Sequence, residues 1–163
     1  MTATLEHVAA SPRVDLRTAP AAIRAQLGVE QFVRSSGLEL SLLHLIKLRA
    51  SYINGCAYCV DMHTKDSRLE GETEQRLYAV AVWHETPFFT PRERAALAWT
   101  DALTNISQTH APDSVFAEVQ EHFTDAEIVA LTMQIASINS WNRISISLRT
   151  PVGSYQPAKK HTD

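Results

Sequence analysis

Cys56, Cys59 and His63 are spaced three and then four residues apart, so on a helix they share one face. They include both cysteines of the chain. The Asn54-Gly55 pair just before them is turn chemistry, which puts Cys56 at or near a helix N-terminus. Unpaired backbone N–H groups and the helix dipole there favour a thiolate over a thiol. An ordinary cysteine, with a pKa of about 8.5, is a few per cent thiolate at neutral pH, whereas CxxC cysteines at helix starts fall to about 7 or below. An imidazole one turn beyond the second sulfur can take the thiol proton and later return it.

Three chemistries fit these residue types. A redox dithiol is the first, because Cβ atoms at i and i+3 near a helix start can close to the ~3.8 Å of a disulfide. A metal site is the second: all three side chains ligate transition metals, but a closed zinc site needs a fourth ligand and no second CxxC or HxxxH pair is present. Two buried cysteines placed by chance are the third and weakest reading.

The elements that must hold these residues read as helices throughout. Pro20 opens a helix through Ile23, Leu27, Phe32 and Val33 towards Gly37, with Gly28 weakening its middle. Leu38 to Ile53 carries a strong apolar stripe and is expected to be largely buried. Its polar strip of His44, Lys47 and Ser51 is expected to face solvent or a neighbouring subunit, the alternative being that it faces the thiols. Arg49, inside the apolar stripe, calls for a carboxylate partner. The cysteine helix runs to about Glu70 and stops at Gly71, and Glu72 to Trp83 forms another. Thr90-Pro91-Arg92-Glu93 and Thr124-Asp125-Ala126-Glu127 are capping-box starts; a short helix opens at Pro112-Asp113 between those two. The second box launches a helix to about Leu148 that is apolar nearly all round, with Asn139, Asn142 and Arg143 interrupting it. The expectation is all-α, six or seven helices, as one domain spanning 1–163 with its core at about 20–152 and flexible or interface-docked ends.

A net charge of −3, from 15 basic and 18 acidic residues, leaves no electrostatic footprint for nucleic acid. Neither a signal-peptide pattern nor a stretch of some 18 apolar residues occurs. A cytoplasmic protein that needs no cofactor is expected, and in a reducing compartment a CxxC is more readily catalytic, redox-active or metal-binding than a structural staple.

The segments Leu45-Ile46-Lys47-Leu48-Arg49-Ala50-Ser51, Ile53-Asn54-Gly55-Cys56-Ala57-Tyr58-Cys59 and Asp61-Met62-His63-Thr64-Lys65 resemble the AhpD-like, carboxymuconolactone decarboxylase-related family, in its small single-domain alkylhydroperoxidase branch. Gly71 to Leu77, Glu85 to Thr90, Arg92 to Thr100 and Asn139 to Arg143 extend the resemblance. It implies an AhpD-like helical bundle that assembles as a trimer or hexamer and reduces organic hydroperoxides. By the same resemblance Cys59 is the peroxidatic cysteine, Cys56 resolves its sulfenic acid to a disulfide, His63 serves the proton transfers, and a dithiol such as a lipoamide-bearing adaptor is the reductant. The sequence departs from the family at residue 44, where a glutamate of the proton relay is replaced by His44, and Tyr58 stands where the best-studied peroxidases have histidine. If the polar strip of the second helix faces the thiols, His44 instead completes a Cys2His2 zinc set with Cys56, Cys59 and His63. A redox sensor whose disulfide switches a partner surface is a further alternative. Decarboxylation fits less well, because the decarboxylase branch lacks the dithiol.

Overall fold

A computed structural model describes residues 11–158. The described residues form eight α-helices and two short 3-10 turns, with no strand among them. The α-helices are α1 (Pro20–Arg34), α2 (Leu40–Asn54), α3 (Ala57–Leu69), α4 (Glu74–Ala79), α5 (Pro91–Thr104), α6 (Ile106–Thr109), α7 (Asp113–Gln120) and α8 (Asp125–Leu148). The count exceeds the expected six or seven by the four-residue α6, too short to carry an apolar period. The helix expected over Glu72–Trp83 is α4 followed by a 3-10 segment, Val80–Glu85, kinked at Val82. Gly28 does not divide α1.

The helix ends follow their capping chemistry. Thr90 and Thr124 each accept from the N3 backbone amide, and Glu93 and Glu127 reach back to the cap amides, the reciprocal bonds of a capping box. Two apolar clusters meet at α2. Leu42, Leu43 and Ile46 pack with Trp99, Leu131 and Ile135, while Leu45 and Leu48 pack with Leu77, Val80, Trp83 and Leu97. Arg49 finds its carboxylate in Asp101, with Nε–Oδ1 at 2.5 Å and Nη2–Oδ2 at 2.9 Å. Asp101 also accepts from the Trp83 indole at 3.2 Å.

The third face of α2 corrects the expectation that its polar strip meets solvent. His44, Lys47 and Ser51 are all buried, because α3 and α8 pack against this helix as α5 does on the far side. Past its exposed first turn the helix offers these residues no solvent face: Lys47 and Ser51 find partners inside, and His44 Nδ1 has none among the described residues.

Of the N-terminal arm and C-terminal tail, residues 1–10 and 159–163 lie outside the described residues. The rest of each is attached. The Arg13 amide donates to the Leu148 carbonyl at 2.9 Å. The Gly153 amide donates to Asp61 at 3.3 Å, the Lys65 ammonium to the Tyr155 carbonyl at 3.0 Å, and the Tyr155 hydroxyl to Asp66 at 2.7 Å.

Candidate functional site

The turn that presents the cysteines is built by the end of α2. Gly55 adopts φ +69°, ψ 32°, a left-handed conformation that costs a glycine little. The Gly55 amide then donates to the Tyr52 carbonyl and the Cys56 amide to the Ser51 carbonyl, which closes α2 in a Schellman motif. Cys56 is thereby delivered, with no intervening linker, as the N-cap of α3, where its sulfur accepts from the Cys59 amide at 3.3 Å.

A carboxamide network locks this turn to α8. Asn54 donates to both Asn139 and Asn142, at 3.0 and 2.9 Å. Asn142 donates to Ser51 Oγ at 3.0 Å, and Ser51 donates to the Lys47 carbonyl at 2.7 Å. Asn139 also donates to Thr104 Oγ1 at 3.1 Å. Each polar group that breaks the apolar run of α8 at these positions has work in holding the cysteine turn.

Cys56 and Cys59 are joined as a disulfide, with their Cα atoms 5.3 Å apart. Both are 1% exposed. Cys59, on the first turn of α3, and His63, one turn on, line a cavity of about 880 Å³; Cys56 is not part of its wall. The cavity is walled by α1 (Ile23, Leu27), α3 (Tyr58, Met62) and α8 (Ile138, Trp141), and residues of the arm and tail, including Leu16 and Tyr155, line it as well. That size lies within the range of small-molecule sites, and so does a largely apolar wall bearing a few polar groups.

The electrostatics of the cavity centre on His63. Neither of its ring nitrogens has a hydrogen-bond partner among the described residues. Burial first, then the charge of Lys47 and then His44, hold its pKa well below the usual 6.5, so the imidazole is neutral. His44 is also lowered, by burial and by Lys47, against a raising pull from Asp66 and Glu70. His44 does not open on the large cavity. It lines a smaller pocket of about 130 Å³ with Ser41, Ser67 and Glu70. A cation stands in the large cavity's wall instead: Lys47, 2.9 Å from Glu30 of α1. Glu30 accepts from Ser137 at 2.5 Å and from Gln134 at 3.5 Å. Glu30 was not singled out from the sequence, although one signal pointed to it: it falls on the stripe of Ile23 and Leu27, where an uncompensated carboxylate has no place.

The four residues of the zinc alternative are not assembled as a ligand set in this oxidised state. The two sulfurs are bonded to each other, and among the described residues no three or more His, Cys, Asp or Glu side chains are arranged to hold a metal ion. Nor is any helix among them long and apolar enough to cross a membrane.

Comparison with known proteins gives consistent matches. Residues 20–102 match the carboxymuconolactone decarboxylase family. The uncharacterized protein YdfG of Bacillus subtilis (strain 168) is 42% identical over 130 residues, covering 80% of this chain and 88% of that protein. The crystal structure of ATU0492 from Agrobacterium tumefaciens, a protein of unknown function proposed to be the antioxidant defence protein AhpD, superimposes with a TM-score of 0.85 at 48% identity. The match covers 89% of this chain and all of that one. An alkylhydroperoxidase AhpD core, an uncharacterized peroxidase-related protein from Ralstonia eutropha JMP134, shares the fold with a TM-score of 0.75 at 23% identity, covering 85% of this chain and 74% of that one.

Proposed function

The chain belongs to the carboxymuconolactone decarboxylase family, and within that family we propose that it acts as a thiol-dependent peroxidase that reduces organic hydroperoxides through Cys56 and Cys59. The observation that carries this reading is the asymmetry of the pair: Cys59 and His63 line the large cavity, and Cys56 sits behind them at the helix cap.

In the proposed cycle the reduced Cys59 gives its proton to the neutral His63. The thiolate attacks the distal oxygen of the hydroperoxide; the O–O bond breaks, sulfur gains a hydroxyl as a sulfenic acid, and His63 returns the proton to the departing alkoxide, releasing an alcohol. Cys56 then attacks the Cys59 sulfur, expelling water and forming the disulfide. A dithiol donor, of which a lipoamide-bearing adaptor is the type, restores the two thiols by exchange and leaves oxidised. His44 stands behind His63 as a second imidazole for proton traffic, in the position of the family's glutamate. We place the working protein in a homo-oligomer, a trimer or hexamer, which would cover the exposed Leu27 and Phe32 of α1 and Val129, Met133 and Ile146 of α8.

Intact mass of the dithiothreitol-reduced, desalted protein, taken before and after one equivalent of cumene hydroperoxide, tests the cycle. Wild-type protein should lose two hydrogens, Cys56→Ser should gain one oxygen, and Cys59→Ser should not change. A wild-type mass unmoved by the peroxide would sink the proposal, as would a Cys59→Ser variant that still turns over.

A further inference from the structure

We propose that Lys47 is the positioning residue that keeps His63 unprotonated in the resting site and stabilises the Cys59 thiolate that the proton transfer leaves, and that Glu30 sets how much of the Lys47 charge the cavity feels. The inference rests on the reading of Cys59 as the reacting thiol. Lys47, Glu30, Cys59 and His63 belong to four different turns on three helices, yet all four line one cavity. Lys47 is 8% exposed, and an ammonium in a largely apolar wall acts on its neighbours through little screening. Among charged groups, Lys47 is the largest influence on His63. A cation near a thiol favours the thiolate, and the same cation near an imidazole disfavours its protonation. One charge thus keeps the imidazole free to accept the proton and stabilises the thiolate left when the thiol gives it up.

The glutamate that the family places at residue 44 would do the opposite to the histidine by stabilising its charged form. Here residue 44 is itself a histidine, and one carboxylate of the cavity wall, Glu30, is tied to Lys47 at 2.9 Å and to Ser137 at 2.5 Å. A stabilising role is a weak account of the pair, since well-packed apolar residues often replace buried ion pairs without loss. Of the remaining charged groups around the cavity, two carboxylates have cation partners, Asp66 keeps its charge against a neutral phenol, and Arg34 lies at the edge. Asp15 pairs with Arg17 at 2.6 Å, Asp61 with Lys65 at 2.9 Å, and Asp66 accepts from Tyr155 at 2.7 Å. Arg34 is exposed, Tyr58 and Tyr155 are phenols raised above 10 by burial, and His44 is neutral. From α8 the wall receives no titratable side chain.

The test is the pH dependence of Cys59 alkylation by iodoacetamide in reduced full-length protein carrying Cys56→Ser, so that one thiol titrates. In Lys47→Met the midpoint should rise by about one unit, a tenfold smaller thiolate fraction at a given pH. Lys47→Arg should restore it, and Glu30→Gln, which leaves the lysine unneutralised, should lower it. Opposite shifts from removing the two ends of one ion pair are the expected result, because a merely structural role would move both the same way. Midpoints that shift together or stay within 0.2 unit overturn the proposal. Should Lys47→Met fail to fold by circular dichroism, Glu30→Gln decides alone: a lowered midpoint upholds the proposal, and an unchanged or raised one overturns it. Alkylation reads the thiol whether or not a hydroperoxide is turned over, so failure of the peroxidase reading shows separately in the mass experiment.

Discussion

His63 binds its proton less readily in the folded protein than in the unfolded chain, and stability inherits the difference. Its folded pKa is depressed well below 6.5 by burial and by Lys47, and that of His44 moves the same way. Above about pH 6.5 neither state holds the protons, and these residues cost nothing. As the pH falls below that value the unfolded chain binds them first, so stability drops by up to about 1.4 kcal/mol per pH unit for each residue until the folded pKa is reached. Glu30 and Glu93 are depressed too, Glu30 by Lys47 and Ser137 and Glu93 by Arg76, against their own burial. Their contribution is present above the unfolded value of 4.5 and lost only below it. Thermal melting between pH 7.5 and 5.5 should therefore show a falling midpoint whose slope is smaller in His63→Gln, with the carboxylates silent across that window. An equal slope in the variant would place the titrating groups elsewhere.

Among the elements, the junction of α2 and α3 depends most on a few hydrogen bonds. Removing the Asn142 side chain takes away a donor to Ser51, which is fully buried, and an acceptor for the half-buried Asn54. Asn142→Ala should cost about 1–3 kcal/mol in urea denaturation. Thr64→Ala, on α3 but satisfied only within its own helix, should cost less, and a reversed order would mean that the network is incidental. Much of this architecture could be read from residue order alone. The capping boxes at Thr90 and Thr124, the stop at Gly71 and the cysteine turn all depend on local chemistry, and local chemistry is what a sequence states directly. The buried side of α2 was misassigned because periodicity shows which residues share a face but not which neighbour covers it. The same limit hid Glu30, whose partner is 17 residues away along the chain and on another helix. The candidate cysteines and His63 were legible from spacing, whereas the separation of His44 into a different pocket needed three-dimensional packing.

At the scale of the whole molecule, the described residues of both the arm and the tail reach the cavity wall. The tail is fastened at Asp61, Lys65 and Asp66, all on the helix that carries Cys59 and His63. Lys65→Met removes the bonds to the tail carbonyls and the partner of Asp61 while leaving the apolar core untouched. In hydrogen-exchange experiments the amide of Gly153 should then lose protection by about tenfold or more, while the amides of α5 and α8 keep theirs. Uniform loss across the protein would instead mean that the tail fastening supports the global fold.

The disulfide between Cys56 and Cys59 encloses one short stretch of chain, with a sequence separation of 3. By the chain-entropy relation a loop so small restrains the unfolded ensemble by only about 2 kcal/mol, and both sulfurs lie inside a turn that α2 and α8 already fix. Oxidation and reduction therefore leave little trace on the exterior. A bond so local makes a poor messenger, and in the proposed cycle it would be broken and remade inside a scaffold that other contacts already hold.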